Sequence, residues 1–159
     1  MTAQKQEGKV HTIMKVSIRR SLPFPKSVVW KEISQIERHS LWMTDAERIE
    51  FLSTKTTGAE VEFDCLTKVG PITVKNRMKV TNWDEPNSIS VIHKSIFKGE
   101  GILSLRHLSP EYCEIQWNEQ VTFPPMFLGP LGERIAKPVL ERIWKKDLEQ
   151  LESLLTTSE

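Results

Sequence analysis

The sequence predicts an α+β domain in which one antiparallel sheet curls around a single long helix. Three observations carry this. Strand-like runs of alternating apolar and polar residues recur about six times after an early first strand and a short helical patch. Turn-forming residues stand between consecutive runs, and the chain ends in one long helix with a broad apolar face. With no second sheet or helix layer available, the inner face of the sheet has only that helix to cover it. The space between them is a candidate ligand cavity.

Residues 1–9 are polar and are expected to form a disordered tail, so the single domain is taken as residues 10–156. From Val10 to Leu22, Met14, Val16 and Ile18 share one parity while Lys15, Ser17 and Arg19 share the other, the pattern of a half-buried strand. Pro23 and Pro25 end it. Pro25 suits the first turn of a helix, and Val29, Trp30, Ile33 and Ile36 follow at helical spacing before Ser40. Leu41-Trp42-Met43 is an apolar plug leading into the sheet.

Ile49 and Phe51 mark the next strand, and Thr57-Gly58 turns the chain into one where Val61, Phe63 and Cys65 alternate with Glu60, Glu62 and Asp64. Gly70-Pro71 makes the following corner. Beyond it Ile72, Val74, Met78 and Val80 face one way and Thr73, Lys75, Arg77, Lys79 and Thr81 the other. After Asp84-Glu85-Pro86-Asn87, Ile89, Val91 and Phe97 share a parity; Leu103 and Leu105 share one after Gly99 to Gly101; Ser109-Pro110-Glu111 leads to Cys113, Ile115, Trp117, Val121 and Phe123. Strands joined by such short turns are antiparallel. Pro124-Pro125 and Gly129-Pro130 halt the sheet. In the final helix Leu131, Ile135, Val139 and Ile143 line one stripe, and Leu140, Trp144, Leu148, Leu151 and Leu155 an adjacent one. Pro138 either interrupts one continuous helix or opens the main helix after a separate lead-in from Leu128 to Lys137.

A chain of 159 residues buries roughly two-thirds of the surface its unfolded form exposes, enough for one core. Lys plus Arg number 22 and Asp plus Glu 21, and a net charge of +1 supplies no field of one sign for nucleic acid, acidic partners or anionic membrane. Lys145-Lys146-Asp147 reads as a solvated face. Cys65 and Cys113 lie on the apolar parity of their runs and read as buried free thiols in a reducing compartment. No apolar run approaches the roughly 18 residues of a membrane span, and no leader pattern opens the chain. The expected location is cytoplasmic, without an integral membrane segment; a homodimer is left open.

Three polar residues break the apolar parity of their strands: Asn76 between Val74 and Met78, His93 between Val91 and Ser95, and Glu119 between Trp117 and Val121. On a packed core face each needs a partner, because an unpaired buried amide costs a few kcal/mol and a carboxylate more. Bulges that reverse parity, or a mutual hydrogen-bond network, also account for them. A wet or ligand-filled cavity does so for all three at once. Trp30, Trp42, Trp117 and Trp144 serve either as core or as cavity lining, while Trp83, on the opposite parity, reads as the cap of an edge or turn. GxSxG, GxxxxGK[ST] and HExxH are absent. With His11, His39, His93 and His107 scattered and neither cysteine in a CxxC pair, no metal site and no cofactor are expected.

Pro25-Lys26-Ser27-Val28-Val29-Trp30 opening the first helix, Leu41-Trp42-Met43 before the sheet, Val69-Gly70-Pro71-Ile72 at a hairpin and Trp117-Asn118-Glu119 in the last strand together resemble the START-like superfamily, also called SRPBCC. Phe123 to Leu151, with Gly129-Pro130-Leu131-Gly132 and Lys137-Pro138-Val139-Leu140, is similar to the strand-to-helix passage of its polyketide cyclase/dehydrase-like branch. The Gly70-Pro71-Ile72 hairpin is similar to that of a START-like group named after one of the subunits of carbon monoxide dehydrogenase. The resemblance covers about residues 10 to 155. It implies a helix-grip fold: a seven-stranded antiparallel sheet around a long C-terminal helix, two short helices after the first strand, and a deep hydrophobic cavity. Members bind lipids, sterols, hormones or polyketides, and a minority catalyse cyclisation or aromatisation, so the fold does not select an activity.

The expected function is therefore binding of a small hydrophobic or amphipathic molecule, a lipid, polyketide or similar. Asn76, His93 and Glu119 would orient it, and no catalytic residue is assigned. Phe63, Val74, Met78 and Val91 from the strands, with Trp117, Val139 and Ile143, are the expected walls. The turn at Val69-Gly70-Pro71 and the segment Pro124 to Pro130 are expected to border the mouth. One rival is a polyketide cyclase/aromatase-like enzyme in which His93 or Glu119 moves a proton and Asn76 holds a carbonyl oxygen. Another is an interaction module with no small ligand, which a solidly packed interior would favour.

Overall fold

The computed structural model describes residues 12–123 and 129–158. The polar start at residues 1–9 and the segment 124–128, half of the expected mouth, lie outside the described residues. Strand β1 (Thr12–Leu22) is followed by α1 (Lys26–Ile33) and a 3-10 helix (Ile36–Leu41). Six strands come next: β2 (Ala46–Phe51), β3 (Glu62–Val69), β4 (Ile72–Asp84), β5 (Ser88–Lys94), β6 (Lys98–Ser109) and β7 (Tyr112–Phe123). The chain then enters α2 (Gly129–Thr157). All seven strands form one antiparallel sheet in the order β1-β7-β6-β5-β4-β3-β2, packed around α2 chiefly through β1 and β7.

Local chemistry explains the corners. Pro25 cannot continue β1 but accepts from the backbone N–H groups of Val28 and Val29 at 3.0 and 3.3 Å, which starts α1. Gly70 stands at φ +58° in the two-residue loop between Val69 and Ile72, where a side chain is strained and glycine is not. The sheet's first strand finds its partner in the last: β1 pairs with β7 from Thr12 opposite Phe123 to Leu22 opposite Cys113.

Three sequence readings change. A register shift between Val80 and Asn82 turns Trp83 inward, where it meets Trp30 edge-on at 5.6 Å and packs against the core instead of capping an edge. Asp147, read as part of a solvated charged face, is wholly buried. The broad apolar face of α2 is only half used: Trp144, Leu148, Leu151 and Leu155 are buried and Leu140 and Ile143 pack against them, but Leu131, Ile135 and Val139 are exposed. From Gly129 the helix runs unbroken through Pro138, so among the described residues there is no separate lead-in helix.

The core is densest at one end. Leu22, Val29, Ile33, Ile36, Leu148 and Leu151 are closed off from solvent there, each side chain contributing about 1.5–3 kcal/mol by burial. Arg20 of β1 clamps the helix over it, its guanidinium 2.6 Å from Glu152. Trp30 and Trp42 belong to this core and do not line the cavity. His39 is also structural. Its Nε2–H donates to the Ile33 carbonyl at 2.7 Å, its ring meets Trp42 edge-on, and burial lowers its pKa to about 4.

Candidate functional site

At the other end the sheet and the first half of α2 stand apart and enclose a cavity of about 250 Å³. Its walls are apolar: Met14, Met43, Met78, Val74, Phe97 and Val121 from the sheet side, Ala136, Val139 and Leu140 from the helix, and the rings of Trp117 and Trp144. Val69 and Ile72, flanking the Gly70-Pro71 corner, lie at its edge. The interior is thus not packed solid, the condition that would have favoured a module without a ligand.

Asn76, His93 and Glu119 all face this space, and the strand register explains how three separate strands bring them together. His93 of β5 stands opposite Met78 of β4 and Gly99 of β6, and Gly101 of β6 stands opposite Glu119 of β7. Asn76 Nδ2 donates to His93 Nδ1 at 2.9 Å, and His93 Nε2–H donates to Glu119 Oε2 at 2.9 Å. The other carboxylate oxygen of Glu119 accepts from Trp117 Nε1 at 3.0 Å. Gly101 makes room for that carboxylate, since a Cβ there would lie 2.4 Å from Glu119 Oε1. Asn76 Oδ1 remains buried without a partner.

A second polar cluster lies behind the tryptophans. Trp144 stacks on Trp117 with centroids 5.1 Å apart, and its Nε1 donates to Asp45 Oδ2 at 3.3 Å. Asp45 also lines the cavity and is hydrogen-bonded to Asp147, whose Oδ1 accepts from the Thr44 backbone N–H at 2.9 Å and its hydroxyl at 2.6 Å. Burial raises the pKa of both carboxyls, that of Asp147 to about 7. Asp45 Oδ1 and Asp147 Oδ2 are buried without a partner, and a proton held by the pair would offer one of them a donor.

Of the remaining residues named from sequence, Val74, Met78, Trp117 and Val139 line the cavity, whereas Phe63, Val91 and Ile143 do not. Parity assigns a face of a strand but not a depth along it. Phe63 lies deeper, edge-on to Phe51 at 6.4 Å, while Val91, opposite Val80 and Gly101, and Ile143 pack against the core. Asp45 escaped notice because it sits in a loop with no periodicity to break. Asp147 carried a readable signal: it stands three residues after Trp144 and four before Leu151, on their stripe. Cys65 and Cys113 are free and buried, and burial pushes both thiols up; Cys65 lines the cavity. Among the described residues no group of three or more His, Cys, Asp or Glu is placed to hold a metal ion, and no helix is long and apolar enough to cross a membrane.

No family sequence profile matches the chain, and no curated protein matches it in sequence. Solved structures match it throughout. TTHA0849 from Thermus thermophilus superposes with a TM-score of 0.78 at 17% identity, over 91% of this chain and 99% of that one. The Zhui aromatase/cyclase from a Streptomyces species gives 0.77 at 13% identity over 91% and 94% of the two chains. A START superfamily protein from Mycobacterium smegmatis gives 0.72 at 14%, over 92% and 99%. The fold is that of the START-like superfamily. In the START-like arrangement a curved sheet grips its last helix, which accounts for a cavity lined by strands on one side and by the first half of α2 on the other.

Proposed function

We propose that this START-like domain binds a small hydrophobic or amphipathic molecule, with Asn76, His93 and Glu119 fixing its orientation. The observation that carries the reading is the juxtaposition of an apolar cavity with one connected polar chain on its wall. Apolar contact supplies most of the affinity and the polar chain the pose. The buried free thiols support a reducing, cytoplasmic setting. Mass spectrometry of the purified protein under native conditions tests it: a retained small molecule, lost in Val74→Trp, is the expected result. A folded Val74→Trp variant that binds hydrophobic probes as well as the parent overturns it.

A second reading, an enzyme of the polyketide cyclase type, is favoured by one observation. The His93–Glu119 hydrogen bond at 2.9 Å orients an imidazole beside a cavity, and the structurally similar Zhui protein is an aromatase/cyclase. Both ring nitrogens of His93 and both oxygens of Glu119 are engaged within the wall, so in this reading a substrate displaces one of those partners before either group moves its proton. Turnover of a polyketide substrate that vanishes in His93→Ala while binding survives moves the assignment to catalysis.

A further inference from the structure

The wall chemistry of the cavity is one-sided. Its lining carries two carboxyl groups, Asp45 and Glu119, and among the described residues no lysine or arginine. The donors nearest the ligand space are already spent inside the wall: His93 Nε2–H and Trp117 Nε1–H on Glu119, and Trp144 Nε1–H on Asp45. The atom left without a partner is an acceptor, Oδ1 of Asn76, a residue 9% exposed whose Nδ2 is held by His93. A buried carbonyl of this kind costs free energy until a donor reaches it. A ligand carboxylate would meet two carboxyl groups and no cation, and its own desolvation would go uncompensated.

The apolar walls add a preference of their own. Met14, Met43 and Met78 present thioethers, and the stacked Trp117 and Trp144 present ring surface. Methionine sulfur and tryptophan both make favourable contacts with aromatic rings.

Resting on the binding reading above, we propose that the cavity selects an aromatic or other apolar molecule that presents a hydroxyl or amine hydrogen to Asn76 Oδ1, and discriminates against carboxylates such as fatty acids. The test is calorimetric titration of the full chain at pH 7.5 with three matched probes: 4-butylphenol, 4-butylanisole and 4-butylbenzoate. The phenol is expected to bind about tenfold more tightly than the anisole, which differs by the loss of the donor, and the benzoate most weakly. Asn76→Leu is expected to erase the phenol–anisole gap while retaining binding of both. Equal or tighter binding of the anisole or benzoate overturns the donor preference and leaves the cavity reading standing. Binding of none of the three overturns both. A gap that persists in Asn76→Leu removes Asn76 from the assignment, and the probe series on the unmodified protein remains decisive if that variant fails to fold.

Discussion

The two halves of α2 carry apolar stripes of similar length and meet opposite fates. In the second half Leu148 and Leu151 are 1% and 0% exposed; in the first, Ile135 and Val139 are 59% and 44% exposed. Nothing in helix periodicity separates them. What differs is the partner: the second half belongs to the closed core with Leu22 of β1, the strand against which α2 chiefly packs, while the first half faces the hairpin around Gly70 across the cavity. A helix whose apolar face is fully used leaves no space beneath it. This domain makes a cavity by letting one half of its helix pack and holding the other half off the sheet.

The largest effect that sharpens this contrast is on stability. Leu151→Ala is expected to cost about 2–5 kcal/mol, because close-packed neighbours cannot collapse into the vacated volume. Leu140→Ala, at a wall that already borders open space, is expected to cost less than half as much. Urea unfolding of both variants measures the difference, and equal losses would mean that the two halves are packed alike.

Titration separates the two ends as well. His39, in the closed core, has its pKa lowered to about 4, so the unfolded chain binds a proton that the native state refuses between pH 6.5 and 4. Its contribution is full above 6.5 and declines as pH falls, by about 3 kcal/mol across that window. Asp147, beside the cavity, has its pKa raised to about 7; its contribution is full below 3.8 and is lost as pH rises through 7. The slopes oppose each other between pH 4 and 6.5. Asp147→Asn is therefore expected to unmask the histidine: the variant gains stability steeply from pH 4.5 to 6.5, where the parent stays nearly flat. Parallel pH profiles of parent and variant would show that the carboxyl pair does not hold its proton.

The same contrast decides what was legible in the sequence. Alternation and turn chemistry are local, and they yielded the antiparallel strands, the final helix and the inward parity of Asn76, His93 and Glu119. Depth is not local. Whether an inward residue meets core or cavity depends on how far the sheet stands from the helix, which is why parity misplaces Phe63 and helix periodicity wrongly buries Ile135. Trp83 was lost to a single bulge, which no composition signal marks. Asp45 stood in an irregular segment, yet Asp147 broke the helix period as plainly as Asn76 broke the strand period.

Smaller effects are expected within the polar chain of the cavity. Glu119→Gln keeps the side chain's shape but offers one acceptor to two donors, Trp117 Nε1–H and His93 Nε2–H. The network settles by reversing: the new amide donates to His93 Nε2, the imidazole proton moves to Nδ1, and Asn76 turns its oxygen to accept it. A neutral ligand is then expected to bind within about tenfold of the parent value, roughly 1.4 kcal/mol, with the phenol preference narrowed. Gly101→Ala, which drives a Cβ against the same carboxylate, is expected to weaken binding more than Glu119→Gln does. Calorimetry on both variants orders them, and a harmless Gly101→Ala would mean that the position of Glu119 is not set by that gap.

The smallest effect belongs to the unpacked half of the helix and tests the comparison most sharply. Ile135 is exposed in the native state and exposed again on unfolding, so replacing it forfeits little burial. Serine and isoleucine rank side by side in helix propensity, which removes the backbone as a competing cause. Ile135→Ser is therefore expected to change stability by no more than about 0.5 kcal/mol in urea unfolding. The change at Leu151 should exceed it several-fold, although both are single apolar residues on one helix. A loss above about 1 kcal/mol at Ile135 would require this face to be covered in solution, and concentration-dependent unfolding of the parent would then identify a second copy of the chain as the cover.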